Sequence, residues 1–107
     1  MKQRSNGNFF SLPNEIFLLG LRPGELAVYS YLRRCEDRGT HQCWPSYKTI
    51  SIACGISRNA AIQAIDALIQ KRLIDKIPTT RRNVYGHART GNNEYRIHDL
   101  SELDPSA

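Results

Sequence analysis

Apolar positions recur at three- and four-residue spacing in three stretches of this chain and alternate in two short ones. Leu26, Val28, Tyr29, Leu32 and Cys35 form the first set and predict a helix over 22–38 with one buried face. Pro23 suits a first helical position, where its missing N–H is no loss. Glu25 near the start and Arg33, Arg34 and Arg38 near the end match the helix dipole, and Gly39 is the expected stop. Tyr29 and Tyr31, set among leucines at helical spacing, are expected in or against the core rather than as base-stacking rings. Upstream, residues 1–8 are polar and expected to be flexible. Phe9 to Leu12 is a short apolar stretch. Pro13-Asn14-Glu15 opens a helical turn with Ile16, Phe17 and Leu19 on its apolar side and Gly20 at its end.

The second helix is expected from Ser46, an N-cap, to about Cys54, with Ile50 and Ala53 inward. His41 to Trp44 before it is extended, because Pro45 disfavours helix in the preceding residue, and it suits an edge strand. Gly55 can take the left-handed conformation that ends a helix, Ile56 is an apolar plug, and Ser57 caps a third helix that runs to about Arg72. At 100° per residue, Ala61, Ala64, Ile65, Leu68 and the Arg72 stem share one side of that helix. Asn59, Gln63, Asp66 and Gln70 share the other, and Ile62 and Ile69 lie on the flank. Residues 73–77 and 93–97 read as strands, and Pro78 ends the first. Between them, residues 79–92 hold turn formers and three arginines, so the two strands make a hairpin with a basic tip.

The fold class these elements predict is mainly α with a small β-hairpin, a three-helix core plus a wing. The domain is expected over 9–98, with a flexible N-terminus over 1–8 and an acidic tail over 99–107. The 107 residues suit one domain with one core. A content of 40% hydrophobic and 23% charged residues excludes a disordered chain, and no apolar run reaches the length of a membrane span. The start, MKQRSNGNFF, has no apolar stretch behind it and no small-residue cleavage site, so no signal peptide is expected and the expected compartment is the cytoplasm.

Charge sharpens the picture. The net charge is +5, but residues 41–98 carry nine basic and three acidic side chains, whereas 99–107 carry three acidic and no basic ones. A basic surface attracts polyanions, because each neutralised phosphate releases condensed counterions. The three cysteines, Cys35, Cys43 and Cys54, form no C-x2-C pair, and His41-x-Cys43 is too loose for ligand spacing; inert thiols are expected, with no metal and no cofactor. A phosphate-cradling glycine loop, a nucleophile–His–Asp pattern and paired carboxylates in apolar settings are all missing, so no enzyme is expected. His41, His87 and His98 are scattered and read as surface groups.

Two short helices joined by a tight glycine turn make a helix-turn-helix, whose second helix can enter the major groove of DNA. Base readout falls to Arg58, Asn59 and Gln63: Arg suits guanine, and Asn or Gln suits adenine. Asp66 on the same face limits contact to the first two turns or meets the amino group of cytosine. Backbone contacts fall to Ser46, Tyr47, Lys48 and Ser57, and to Arg81, Arg82 and Arg89 of the hairpin, with His87 beside them. Lys71 and Lys76 lie too far back. Against this stand two plainer readings, an ordinary amphipathic surface helix and a solvated loop; the glycine turn, the serine caps and the basic hairpin together outweigh them.

The run Cys43-Trp44-Pro45-Ser46-Tyr47-Lys48-Thr49-Ile50, then Ala53-Cys54-Gly55-Ile56-Ser57-Arg58, then Ala64-Ile65 with Leu68, Leu73-Ile74 and a later Asn93-Glu94-Tyr95-Arg96-Ile97, resembles the winged helix-turn-helix domains of phage and plasmid replication proteins. The upstream helix, GELAVYSYLRRCEDRG, is similar to the first helix of that group, and the resemblance covers residues 9–98. It implies a DNA-binding domain in replication initiation or in transcriptional regulation of a mobile element. Four positions depart from the group: Ala60-Ala61 stand where Thr-Val is frequent, Gln63 stands for a basic residue, and Arg72 for a glycine before the Leu-Ile strand. Double-stranded DNA is the expected partner and a homodimer the second; neither a membrane nor a small-molecule substrate is implied. The alternative is a protein-interaction or dimerisation module on the same fold, with Ile62, Ile69, Phe9 and Phe10 as its seam.

Overall fold

The computed structural model describes residues 9–82, 88–90 and 92–98, with backbone alone for 80–82 and 88–90. The expected tails at 1–8 and 99–107, and His87 of the hairpin tip, lie outside the described residues. A 3-10 turn, Asn14–Leu18, precedes helix α1, Pro23–Cys35; strand β1, Gln42–Cys43, leads into α2, Tyr47–Cys54, and α3, Arg58–Gln70. Strands β2, Ile74–Ile77, β3, Thr80–Arg82, β4, Ala88–Thr90, and β5, Glu94–Ile97, are the remaining elements among the described residues. Three helices and a small antiparallel sheet make the winged helix-turn-helix expected from the sequence.

The core forms where the three helices and one sheet face meet. Val28, Tyr29 and Leu32 of α1, Ile50 of α2, and Ala61, Ala64, Ile65 and Leu68 of α3 are buried against Leu73, Ile74, Tyr95 and Ile97. Ile16 anchors the 3-10 turn to the same cluster, and Leu12 and Leu19 pack against it. Strand order is β1-β5-β2, all antiparallel, with Cys43 opposite Tyr95 and Ile74 opposite Ile97. The hairpin therefore closes across β2 and β5, and β1 sits at the edge as expected.

Several expectations need correction. The first helix ends at Cys35, not 38: Glu36 leaves helical geometry, and Gly39 lies beyond the end in a turn whose N–H donates to Asp37 Oδ1 at 2.7 Å. In α2 the inward positions are Tyr47, Ile50 and Cys54, and Ala53 is exposed. Phe17 of the 3-10 turn faces solvent, because only Ile16 and Leu19 reach the core. Arg72 does not extend the buried side of α3, which stops at Gln70; Arg72 is exposed with φ of 63°. Residues 80–82 and 88–90, read as turn-rich, pair as strands, with Arg81 opposite Arg89.

Candidate nucleic-acid interface

The α2–α3 junction is built by local chemistry. The Ser46 hydroxyl accepts the Thr49 N–H at 3.0 Å, and the Ser57 hydroxyl accepts the Ala60 N–H at 3.0 Å, so each helix starts on a side-chain cap. Gly55 has φ of 68°, the left-handed geometry that glycine takes without strain, and its N–H closes the last turn of α2 on Ile52. Ile56 packs down onto the core. The two helices thereby meet at a bend of 100°, within the range of a helix-turn-helix.

The outward side of α3 carries what the pattern promised. Arg58, Asn59, Gln63 and Asp66 are exposed, and among the described residues none of the first three makes a side-chain hydrogen bond. Asp66 lies 4.0 Å from Lys76 of β2, which offsets the one negative charge on this flank. Lys76 therefore has a role that its sequence position did not suggest. Lys71, also judged too far back, is held away from the interface: its Nζ is 2.7 Å from Glu25 Oε1 and 3.3 Å from the Gly20 carbonyl.

Beside the start of α3 lies a cleft of about 480 Å3, lined by Ser46, Tyr47 and Lys48 of the α2 start, Arg58, and Asn92 and Asn93 at the hairpin base. It brings four of the expected contact residues together. Lys48 and Arg58 make no ion pair among the described residues, so the cleft is cationic. The Ser46 hydroxyl is already used twice, since it also donates to Thr49 Oγ1 at 3.0 Å; at this helix start the unbonded donors are backbone N–H groups. Tyr47 is half-buried, and its hydroxyl accepts from Asn93 Nδ2 at 3.3 Å. Asn59 and Gln63 lie outside the cleft, further along α3. Of Arg81, Arg82 and Arg89 only the backbone is described, in the β3–β4 ladder.

Burial pushes the Cys43 thiol up to about 12. Burial also raises Cys54, and a hydrogen bond with Cys35, followed by burial, raises Tyr31 to about 12. Among the described residues no three His, Cys, Asp or Glu side chains converge as metal ligands. Asn92 and Asn93, a turn and a strand residue by sequence, also line the cleft; an Asn-Asn pair before a strand signals a turn and nothing about what the amides hold.

Residues 19–74, just over half of the chain, match the family described as helix-turn-helix domain. The chain belongs to that family. Its membership and fold support a helix-turn-helix DNA-binding domain. Among solved structures the domain is similar to a "Possible transcriptional regulator" from Methanosarcina mazei Go1, at 15% identity and a TM-score of 0.55. The match covers 79% of this chain and 62% of that one, so the helix-turn-helix chain spans less than two thirds of its structural neighbour, and the likeness is one of fold. No curated protein matches it. No single helix among the described residues is long and apolar enough to cross a membrane.

Proposed function

We propose that this protein is a double-stranded DNA-binding regulator that sets α3 in the major groove and the wing against the backbone or the minor groove. The groove is about 12 Å wide and admits one helix. Arg58, Asn59 and Gln63 read bases. Ser46, Tyr47, Lys48 and Ser57 hold one stretch of backbone, and Arg81, Arg82 and Arg89 hold another. The observation that carries this reading is the hydrophilic flank of α3 standing beside a cleft whose lysine and arginine have no acidic partner among the described residues. The resemblance to phage and plasmid replication proteins supports a role in replication initiation on a mobile element. The M. mazei neighbour, a possible transcriptional regulator, supports transcriptional regulation.

The test is a salt series with duplex DNA. Several phosphate contacts give a steep loss of affinity between about 50 and about 200 mM salt. Undetectable binding at the low end, or a flat series, removes the reading. Selecting bound sequences from a random duplex pool then distinguishes a symmetric operator, expected for a homodimer, from an asymmetric one.

A second reading, a protein-interaction or dimerisation module, is favoured by one observation: Phe9, Phe17 and Leu18 are exposed at 68%, 75% and 81% near the N-terminus. Ile62 and Ile69 contribute less to such a seam, since both are half-buried and Ile69 packs on the core. Light scattering of the Phe9→Asp, Phe17→Asp variant decides it: loss of assembly supports this reading, and an unaltered mass removes it.

A further inference from the structure

The hairpin is not one continuous ladder. Ile77 pairs with Glu94 in the three-stranded sheet, and Thr80 pairs with Thr90 in a separate two-stranded one. Three steps along the outgoing strand are thus matched by four on the return, a register shift of one residue. An extra residue of this kind bends a hairpin and increases its twist. Pro78 sits at the break and has no N–H to give a ladder. The β3–β4 arm, which carries the three arginines, is therefore set at its angle by whatever holds the break.

Two asparagines hold it. Asn92 Nδ2 donates to the Trp44 carbonyl at 3.1 Å, and the Asn92 carbonyl accepts from Thr79 Oγ1 across the hairpin. Asn93 Nδ2 reaches Tyr47 Oη and Tyr95 Oη, each at 3.3 Å. Trp44 and Tyr47 flank the start of α2, which packs on α3, and Tyr95 is fully buried. The break is tied at once to the helix-turn-helix and to the core.

We propose that Asn92 and Asn93 are positioning residues for DNA binding, locking the hairpin break onto the start of α2 and so fixing the angle between the arginine-bearing wing and α3. An arm already held at the right angle loses less freedom on binding than one that swings. The inference rests on the DNA-binding reading for its functional readout.

The test uses the full chain, the Asn92→Ala, Asn93→Ala double variant, an Arg81→Ala, Arg82→Ala, Arg89→Ala triple variant, and the two combined. The double variant is expected to bind duplex about tenfold more weakly at low salt, with the slope of log affinity on log salt shallower by about 2. The combined variant is expected to be no weaker than the arginine triple, because the asparagines act through those arginines. An unchanged slope, or losses that simply add in the combined variant, overturns the proposal. Residual dipolar couplings of β3 and β4 amides supply a readout without DNA: in the double variant they are expected to shrink while those of β2 and β5 hold. Couplings that stay the same overturn the clamp even if binding falls. If the parent chain binds no duplex but the couplings shrink, the DNA reading fails and the clamp stands. Should the double variant melt before room temperature, Asn92→Ala alone, which removes one bond from an exposed side chain, carries the same measurements.

Discussion

At the scale of single residues, backbone strain and ion pairing make checkable demands. Arg72 adopts φ of 63°, a conformation that costs an L-residue about 1–2 kcal/mol and glycine almost nothing. That explains the glycine frequent at this point in the resembling domains: the chain must reverse between α3 and β2 in left-handed geometry. Arg72→Gly is expected to stabilise the fold by about 0.5–1 kcal/mol, the gain being trimmed by the extra freedom of glycine in the unfolded chain; urea denaturation measures it, and a loss of stability contradicts the strain argument. Glu25 accepts hydrogen bonds from Lys71 and from the Arg22 N–H, and the Lys71 bond, opposed by burial, holds its carboxyl below the ordinary 4.5. A depressed carboxylate contributes stability above its unfolded value and gives it up as pH falls through its folded one. The parent chain is therefore expected to lose stability below about pH 4.5 more steeply than Glu25→Gln, as thermal melts across the acid range will show.

At the scale of elements, the α2–turn–α3 unit depends on one glycine and two serines. A Cβ at Gly55 meets nothing within 4 Å, so Gly55→Ala tests backbone geometry alone. It is expected to cost about 1 kcal/mol, and thermal unfolding without such a drop shows that the left-handed turn is not needed. The unit was legible in the sequence because glycine and capping serines act locally, whatever packs around them. The inward face of α2 was not: eight residues make about two turns, so Ala53 and Cys54 fit a buried stripe about equally well, and Tyr47, recruited by Asn93, settles the rotation. The end of α1 was missed for a related reason. Glu36 bonds Arg33 at 3.0 Å and His41 at 3.2 Å, fixing the chain's exit before Gly39 is reached.

At the scale of the whole molecule, the question is which charges remain for DNA. Lys71 serves Glu25 and Lys76 sits by Asp66, while Lys48 and Arg58 face the cleft beside α3. Net charge predicts attraction to a polyanion, but only the fold separates cations already paired from cations on offer. Arg58→Ala is accordingly expected to relax sequence discrimination by about 1–3 kcal/mol at one base step, whereas Arg81→Ala with Arg82→Ala weakens all duplexes alike. Competition binding with matched and scrambled duplexes distinguishes the two, and equal losses on both duplexes for Arg58→Ala remove it from base readout.

The sequence alone determined the three helices, the serine caps of α2 and α3, the glycine turn, the two main hairpin strands and the polar flank of α3, because each follows from spacing or from a residue acting on its own backbone. Tertiary structure alone decided the pairing of Lys71 and Lys76, the continuation of the wing as a second ladder, its one-residue register shift and the asparagine hold on α2. Apart from the short β3–β4 ladder, those features join residues up to 48 positions apart, and no local pattern records which distant partner a lysine or an amide will meet once the chain has closed.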